Sequence, residues 1–366
     1  MKDMPDIHES QESRARHAGS RHHGHRHSLK GRIKRRLSRH KWLMPCIAVT
    51  LIVLVVAAVW MVKTVENQAG MRVSAGSAFN IGSGYRDITY RGRSYRYNTR
   101  ITTILFAGVD SDGELVKSAK YTSAPRADSI SLIVLDEVKH NITVIALNRD
   151  TMTKIRKFTL GGKDRGMMKD HLGYAYTYGD GGEVSCRNIC EAVSELMYGI
   201  PVNEYIITGR GSLSTLGNLV GDVEVTVPND DLEELGYIKG SRRIINGDNI
   251  ETFVRTRDTG LDLSNVGRME RQRTYIDGAI GQIQSLVADD PSGAWRKMKD
   301  VEGYMQTNIT RSRYLDLVKV LRNTSYDQGS YYTPEGRQVV ASDHDEFYPD
   351  EEALLKKVVE IFYIEK

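Results

Sequence analysis

The 366-residue sequence predicts an α/β protein, a three-layer α/β/α domain with a mixed central sheet behind an N-terminal transmembrane helix. Three features point there. Apolar, β-branched runs (TTILFAGVD, SISLIVLD, NITVIALNRD) each end in a polar or charged group, stretches of helical apolar spacing follow them, and residues 42–62 carry no charge.

With 40% apolar residues the chain can bury one large or two ordinary cores. Residues 1–62 hold twelve Lys or Arg against four Asp or Glu, a balance of +8, which leaves −4 for the remainder. The run WLMPCIAVTLIVLVVAAVWMV, as a helix rising ~1.5 Å per residue, spans roughly 30 Å, the thickness of a bilayer's hydrocarbon core. Trp42 and Trp60 suit its two interfaces. A cleaved signal peptide needs a shorter apolar run and a small-residue cleavage site, whereas here Lys63 follows Met61 and Val62. The basic stretch SLKGRIKRRLSRHKW is kept in the cytoplasm by the positive-inside rule. The expected organisation is therefore a basic cytoplasmic tail (1–41), a transmembrane helix (42–62), a stalk with a short strand pair (63–100) and an extracellular domain (101–366) at the cell membrane. The tail lacks a helix-turn-helix pattern, which argues against nucleic acid as a partner.

Seven of the ten histidines fall in the first 41 residues, leaving His140, His171 and His344, too few for a histidine-rich zinc site. Cys46 lies in the apolar run, while Cys186 and Cys190 share one face of a helical segment, where a disulfide, a metal pair or two small buried hydrophobes are all open.

Along the outer domain, ITYRGRSYRY reads as a strand pair turning at Arg91-Gly92. The three apolar runs read as buried strands whose polar ends line one edge of a sheet. A helix over about 181–198 is closed by Gly199 and Pro201; VNEYIITG is a strand, LSTLGNLVG a short helix, DVEVTVP a strand. Long amphipathic helices follow at 268–287, 311–322 and 350–363.

Between residues 254 and 273, VRTRDTGLDLSNVGRMERQR has five arginines and no lysine. The guanidinium is a planar fork that binds carboxylate or phosphate through two parallel hydrogen bonds, so this choice favours an oriented oxyanion. In an extended segment Arg255 and Arg257 project to one side, and in a helix starting near Gly267 the residues Arg268, Arg271 and Gln272 share a face. Asp110 ends the first strand, Asp128 begins the second, and Arg149-Asp150 follows the third. Arg126, two residues before Asp128, joins the candidate substrate-binding set. A pair of carboxylates ringed by arginines suits Mg²⁺, which takes one or two protein carboxylates and completes its shell with phosphate and water.

The segments ILFAGVD, RADSISLIVLD, VIALNRDT, KDHLGYAYTYGDGG, GIPVNEYIITG, LVGDVEVTVP and INGDNIETFVRTRD with GRMERQ resemble, in this order and over about residues 100–280, the LytR-CpsA-Psr family of bacterial cell-wall proteins. The resemblance implies an α/β/α domain holding a polyprenyl lipid in an apolar interior and its pyrophosphate among arginines and Mg²⁺. It further implies transfer of a teichoic acid, capsular or related polysaccharide from undecaprenyl pyrophosphate to peptidoglycan, outside the membrane of a Gram-positive type envelope. Asp110 and Asp128 match the family's metal-binding acids, Arg149 its strand-end arginine, and Arg255, Arg257, Arg268 and Gln272 its pyrophosphate set. Asp112 stands where many relatives have arginine, and Asn265 replaces an aspartate that Asp262 is placed to substitute. Arg149, Asp150 and Arg257 are the catalytic candidates, with Asp150 as base and Asp258 and Asp262 as rivals for that role. Two other functions fit the same residues: a phosphatase releasing polyprenyl phosphate with water as acceptor, and a membrane-bound regulator sensing lipid intermediates.

Overall fold

The computed structural model describes residues 79–81, 85–257, 264–340 and 344–366. The basic tail, the apolar run at 42–62, most of the stalk, Asp258 and Asp262 lie outside the described residues. Among the described residues no helix is long and apolar enough to cross a membrane.

In chain order, β1 (Phe79–Ile81), β2 (Asp87–Tyr90) and β3 (Arg93–Tyr97) form an antiparallel ribbon. Arg91 and Gly92, at φ +49° and +78°, make the two-residue turn between β2 and β3, where both positive angles match the twist of the strands. Next come the three apolar runs, β4 (Ile101–Val109), β5 (Ala127–Asp136) and β6 (Asn141–Leu147), each antiparallel to the one before. A charged hairpin, β7 (Met152–Phe158) and β8 (Asp164–His171), precedes the short helix α1 (Tyr174–Thr177) and α2 (Glu183–Leu196). Gly199, at φ +83°, supplies the left-handed residue that ends this helical region.

The strand β9 (Glu204–Gly209), helix α3 (Leu213–Val220), ribbon β10 (Val223–Thr226) with β11 (Arg242–Ile245), and helix α4 (Ile250–Arg255) follow. Helix α5 (Ser264–Asp289) starts three residues before Gly267, whose missing Cβ leaves room for the Asp231 carboxylate against its first turn. The rest is α6 (Pro291–Lys297), β12 (Met305–Thr307), α7 (Arg311–Leu321), β13 (Tyr331–Tyr332), the hairpin β14 (Gly336–Val340) and β15 (Asp345–Pro349), α8 (Glu351–Phe362) and β16 (Tyr363–Glu365). Side chains of Asp290, Thr310 and Asp350 cap α6, α7 and α8 at their first turns.

The central sheet is mixed and six-stranded, in the order β12-β9-β4-β5-β6-β13. On one face Leu105, Ala107, Ile130 and Leu132 pack with Ile189 and Val193 of α2 and Leu354, Val358 and Phe362 of α8. On the other face Ile104, Leu135 and Ile142 meet Leu317 of α7, with Ile280 of α5 alongside. The expected helix-covered mixed sheet is therefore present. A further core joins β10, β11 and α4 to Tyr275 and Ala279 of α5. The strand pair ending the expected stalk is not free-standing, since β16 adds to β3 and brings the chain's last residues onto it.

Cys186 and Cys190 are free and buried on the inner face of α2. Burial pushes the Cys186 thiol up to about 12 and raises that of Cys190. The thiolate is the reactive form, so burial that raises both thiols keeps them un-ionised and unreactive near pH 8. Peptide mapping after iodoacetamide treatment at pH 8 is expected to find both cysteines unmodified in the native protein and alkylated once it is unfolded.

Candidate functional site

The three strands deliver their polar ends to one edge because of their antiparallel register. Val109, the last residue of β4, pairs with Ala127, the first of β5, so Asp110 and Asp128 emerge side by side. Leu147 at the end of β6 pairs with Ile130, which brings Asn148, Arg149 and Asp150 to the same edge. Helix α5 crosses above and contributes Arg268, while Arg257 arrives from the segment after α4.

Arg149 donates from Nη1 to Asp128 Oδ1, and Arg126 donates from Nη2 to Asp150 Oδ1. Arg149 Nε lies 3.5 Å from that same Asp150 oxygen. Arg268 donates from Nη2 to the Asp128 carbonyl at 2.9 Å and to Asn265 Oδ1 at 2.6 Å, and its Nη1 stands 3.9 Å from Asp128 Oδ2. The Arg126 guanidinium lies 4.7 Å from the centroid of the Tyr174 ring, which holds it in place. A Cβ on Gly173 would sit 2.7 Å from the Ala127 carbonyl and 3.0 Å from Arg126 Nε, so only glycine lets this loop approach the strand.

Charge within the cluster does not balance. Among the described residues, Arg126, Arg149 and Arg268 share the carboxylates of Asp128 and Asp150, three guanidiniums on two acids, with Arg257 alongside. Burial first, and then the neighbouring Arg149, push Arg268 down to about 10, and the same two causes lower Arg257. The Nε atoms of Arg126, Arg149 and Arg268 are buried and make no hydrogen bond. Surplus positive charge with unused donors, held at a sheet edge, is a site prepared for an anion.

Asp110 is half exposed and receives Arg255 Nη2 at 2.8 Å. Arg255 also reaches Glu251 at 2.7 Å; Arg210 lies 3.6 Å from Glu251 and pairs with Asp112. The mouth of the site is thus ringed by alternating charges, Asp110, Arg255, Glu251, Arg210 and Asp112. Among the described residues no group of three or more His, Cys, Asp or Glu could hold a metal. Asp110 and Asp128 are a two-carboxylate set, the kind that Mg²⁺ completes with water and phosphate oxygens.

Two sequence-based placements need correction. Arg255 is the last residue of helix α4, not part of an extended segment, so it faces Asp110 and Glu251 while Arg257 lies with Arg149. Arg271 does not share the site face with Arg268. It is fully buried in the β10–α4 core, where it donates to Phe253 O at 2.9 Å, Asn229 Oδ1 at 3.0 Å, Asp231 Oδ2 at 2.5 Å and the Thr256 carbonyl. Residues three apart on a helix differ by about 60° in direction, enough to send the two arginines into different layers. Gln272 spans from Ser129, whose hydroxyl donates to it at 3.4 Å, to the Val254 carbonyl at 3.1 Å, tying α4 to β5.

Arg210 and Asn148 were not among the expected site residues, and Asn265 was expected only as the replacement of an aspartate. Arg210 follows β9, the parallel neighbour of β4, and its position at a buried strand's end was the available signal. Asn265, 1% exposed, donates to Asn148 Oδ1 at 2.9 Å and Asp150 Oδ2 at 3.4 Å while accepting from Arg268. An aspartate there has no such donor, which explains why asparagine suits this chain. Asn148 was passed over beside the more conspicuous Arg149-Asp150.

A family model described as the LytR_cpsA_psr family matches residues 61–357. The polyisoprenyl-teichoic acid–peptidoglycan teichoic acid transferase TagU of Bacillus cereus is 24% identical over 217 residues, covering 59% of this chain and 63% of the relative. The chain thus spans under two thirds of that relative's length. Among solved structures, protein gbs0355 of Streptococcus agalactiae aligns with a TM-score of 0.56 at 23% identity, over 72% of this chain and 87% of that one. A structure titled TagT bound to LI-WTA aligns with a TM-score of 0.53 at 16% identity, over 72% of this chain and 90% of that one. These alignments establish a shared fold.

Truncating Arg271 leaves four acceptors unmatched, although Asp231 is partly exposed and rehydrates. Arg271→Ala is expected to cost about 3 kcal/mol, lowering the midpoint of thermal unfolding by roughly 6–10 °C. Arg273→Ala, on a half-exposed i,i+4 pair with Asp277, should stay within about 1 kcal/mol by the same calorimetry.

Proposed function

The chain belongs to the LytR_cpsA_psr family, and from that premise we propose that it is a phosphotransferase moving a glycopolymer from undecaprenyl pyrophosphate to peptidoglycan. The observation that carries this reading is the cluster in which, among the described residues, Arg126, Arg149 and Arg268 share two carboxylates and three buried Nε donors make no hydrogen bond. A diphosphate supplies both the missing charge and the acceptors. The names of the relatives, a teichoic acid transferase and a protein bound to LI-WTA, favour a teichoic acid or similar polymer as cargo.

A lipid tail finds support in the sheet face below the site. Phe106 lies opposite Ile206 on one side and Ser131 on the other, on the face that carries Ile104. Phe106, Ile133 and Ile206 are only half buried although they sit on central strands of a sheet with helices over both faces. Gly108 and Ser129, directly paired, continue this face toward Asp110 and Asp128. An apolar row of incompletely covered residues leading to a cationic site suits a polyprenyl chain with a diphosphate head. The uncharged run at 42–62 and the basic tail would anchor the domain on the outer side of the membrane.

In the reaction, the oxygen of an acceptor sugar hydroxyl bonds to the phosphorus next to the glycan. The bond from that phosphorus to the bridging oxygen breaks, and undecaprenyl phosphate departs with the electron pair. The acceptor's proton goes to Asp150 Oδ2, which among the described residues accepts a 3.4 Å contact from Asn265, while Oδ1 stays with Arg126. Arg149, Arg257 and Arg268 orient the diphosphate and neutralise the charge growing on the leaving group. Asp110 and Asp128 would hold a Mg²⁺ ion, which would supply further neutralisation of the diphosphate.

The test is transfer of labelled polymer from a lipid-linked donor to peptidoglycan. Arg149→Ala should reduce transfer by about 10²-fold or more with the fold retained by circular dichroism. Asp110→Asn, at a half-exposed position, should raise the Mg²⁺ concentration needed for half-maximal rate. Full transfer by Arg149→Ala contradicts the proposal, and label released to solution as free polymer phosphate replaces it with a phosphatase.

A further inference from the structure

Beside the arginine cluster, a groove of about 450 Å³ runs between α5 and the β13–β14 segment. Its walls include Asn148, Arg273, Tyr331, Thr333, Glu335 and Gln338, none of which the proposed phosphoryl transfer uses. We infer that this groove is a subsite for an uncharged saccharide chain, and that it seats the acceptor glycan. The second half of that statement rests on the transferase reading; the first does not.

Four observations support a saccharide. The volume falls within the roughly 300–1,000 Å³ usual for small-ligand sites. Asn148 is 6% exposed, and its Oδ1 accepts both the Asp150 N–H and Asn265 Nδ2 at 2.9 Å, which fixes the orientation of the amide. Asn148 lines the groove, so the Nδ2 of this oriented amide is the donor it offers there. Gln338 Nε2 is buried without a hydrogen bond. Donors of this kind, with the Thr333 hydroxyl and the Glu335 carboxylate as acceptors, match the hydroxyl and acetamido groups of amino sugars. The Tyr331 ring supplies the apolar wall that pyranose C–H groups prefer.

Charge argues against an anionic occupant. The one guanidinium in the wall, Arg273, lies 3.5 Å from the Asp277 carboxylate and 5.1 Å from the centroid of Tyr331. Glu270 and Glu335 add two carboxylates to the lining. A phosphate-bearing polymer would meet repulsion here, whereas a neutral glycan would not. Position links the groove to the reaction: Asn265 bridges Asn148 to Asp150, so a chain end resting on Asn148 lies beside the acid that takes the acceptor's proton.

The experiment measures binding of an N-acetylglucosamine tetramer to the full chain in detergent micelles, by saturation-transfer NMR and calorimetry, with no lipid donor present. The wild type should bind, and Tyr331→Ala should raise Kd about tenfold. Thr333→Arg, at an exposed lining position, should do the same by filling the groove, and it guards against loss of fold in the strand variant. Asp110→Asn should leave the affinity unchanged. In transfer assays both groove variants should raise KM for peptidoglycan glycan and leave KM for the lipid donor unaltered. No binding by the wild type, or unchanged affinity in both groove variants, overturns the subsite. A raised donor KM with an unaltered acceptor KM overturns the acceptor assignment. If the transferase reading fails instead, the tetramer still binds and both groove variants still weaken it, while no polymer is transferred.

Discussion

Excess positive charge held out of water is the constraint on which the site depends. Arg149 and Arg268 are both buried, and among the described residues they and Arg126 share Asp128 and Asp150, two carboxylates for three guanidiniums. Burial first, and the neighbouring Arg149 second, lower the proton affinity of Arg268 and Arg257. Folded proteins tolerate such an arrangement when surrounding structure forces it, and the charges become useful when a ligand relieves them. Here the forcing elements are visible: antiparallel β4, β5 and β6 fix the strand-end residues, α5 lays Arg268 over them, and the amide of Asn265 bridges Asn148 and Asp150 beneath it.

The helix α5 serves three neighbours from three sides. Toward the sheet edge it presents Arg268 and Gln272; toward the β10–α4 core it presents Arg271, Tyr275 and Ala279; toward β13 and β14 it presents Arg273 and Met269. Arginines in one sequence motif therefore do different work. Arg271 is a structural cation that closes a polar loop junction, Arg268 stands in the anion site, and Arg273 borders the saccharide groove. Gly267 permits this by letting Asp231 reach the helix and meet Arg271.

Much of this was readable from residue order. The β-branched runs became β4, β5 and β6 because nothing but burial on both faces accounts for seven to ten consecutive mostly apolar residues. Arg149, Arg257 and Arg268 gather around Asp128, while Arg255, expected with them, pairs with Asp110. The β7–β8 hairpin was hidden, since MTKIRKF and DRGMMKDH place charges on both faces and are stabilised across strands by pairs such as Arg156–Asp164 and Lys157–Asp170. The β14–β15 hairpin, with strands of five residues each, is shorter still. Arg255 was misplaced because a six-residue helix has too few turns to show a period, and Arg271 because helical spacing alone does not say which neighbour each face will meet.

The central claim is that the arginine cluster holds the diphosphate of a polyprenyl lipid. Mass spectrometry of lipid extracted from the purified full chain tests it most directly. A polyprenyl phosphate or diphosphate should co-purify with the wild type in near-stoichiometric amount and be depleted from Arg268→Ala preparations that remain folded. Recovery of ordinary membrane phospholipid alone, or equal polyprenyl content in the two proteins, would contradict the account.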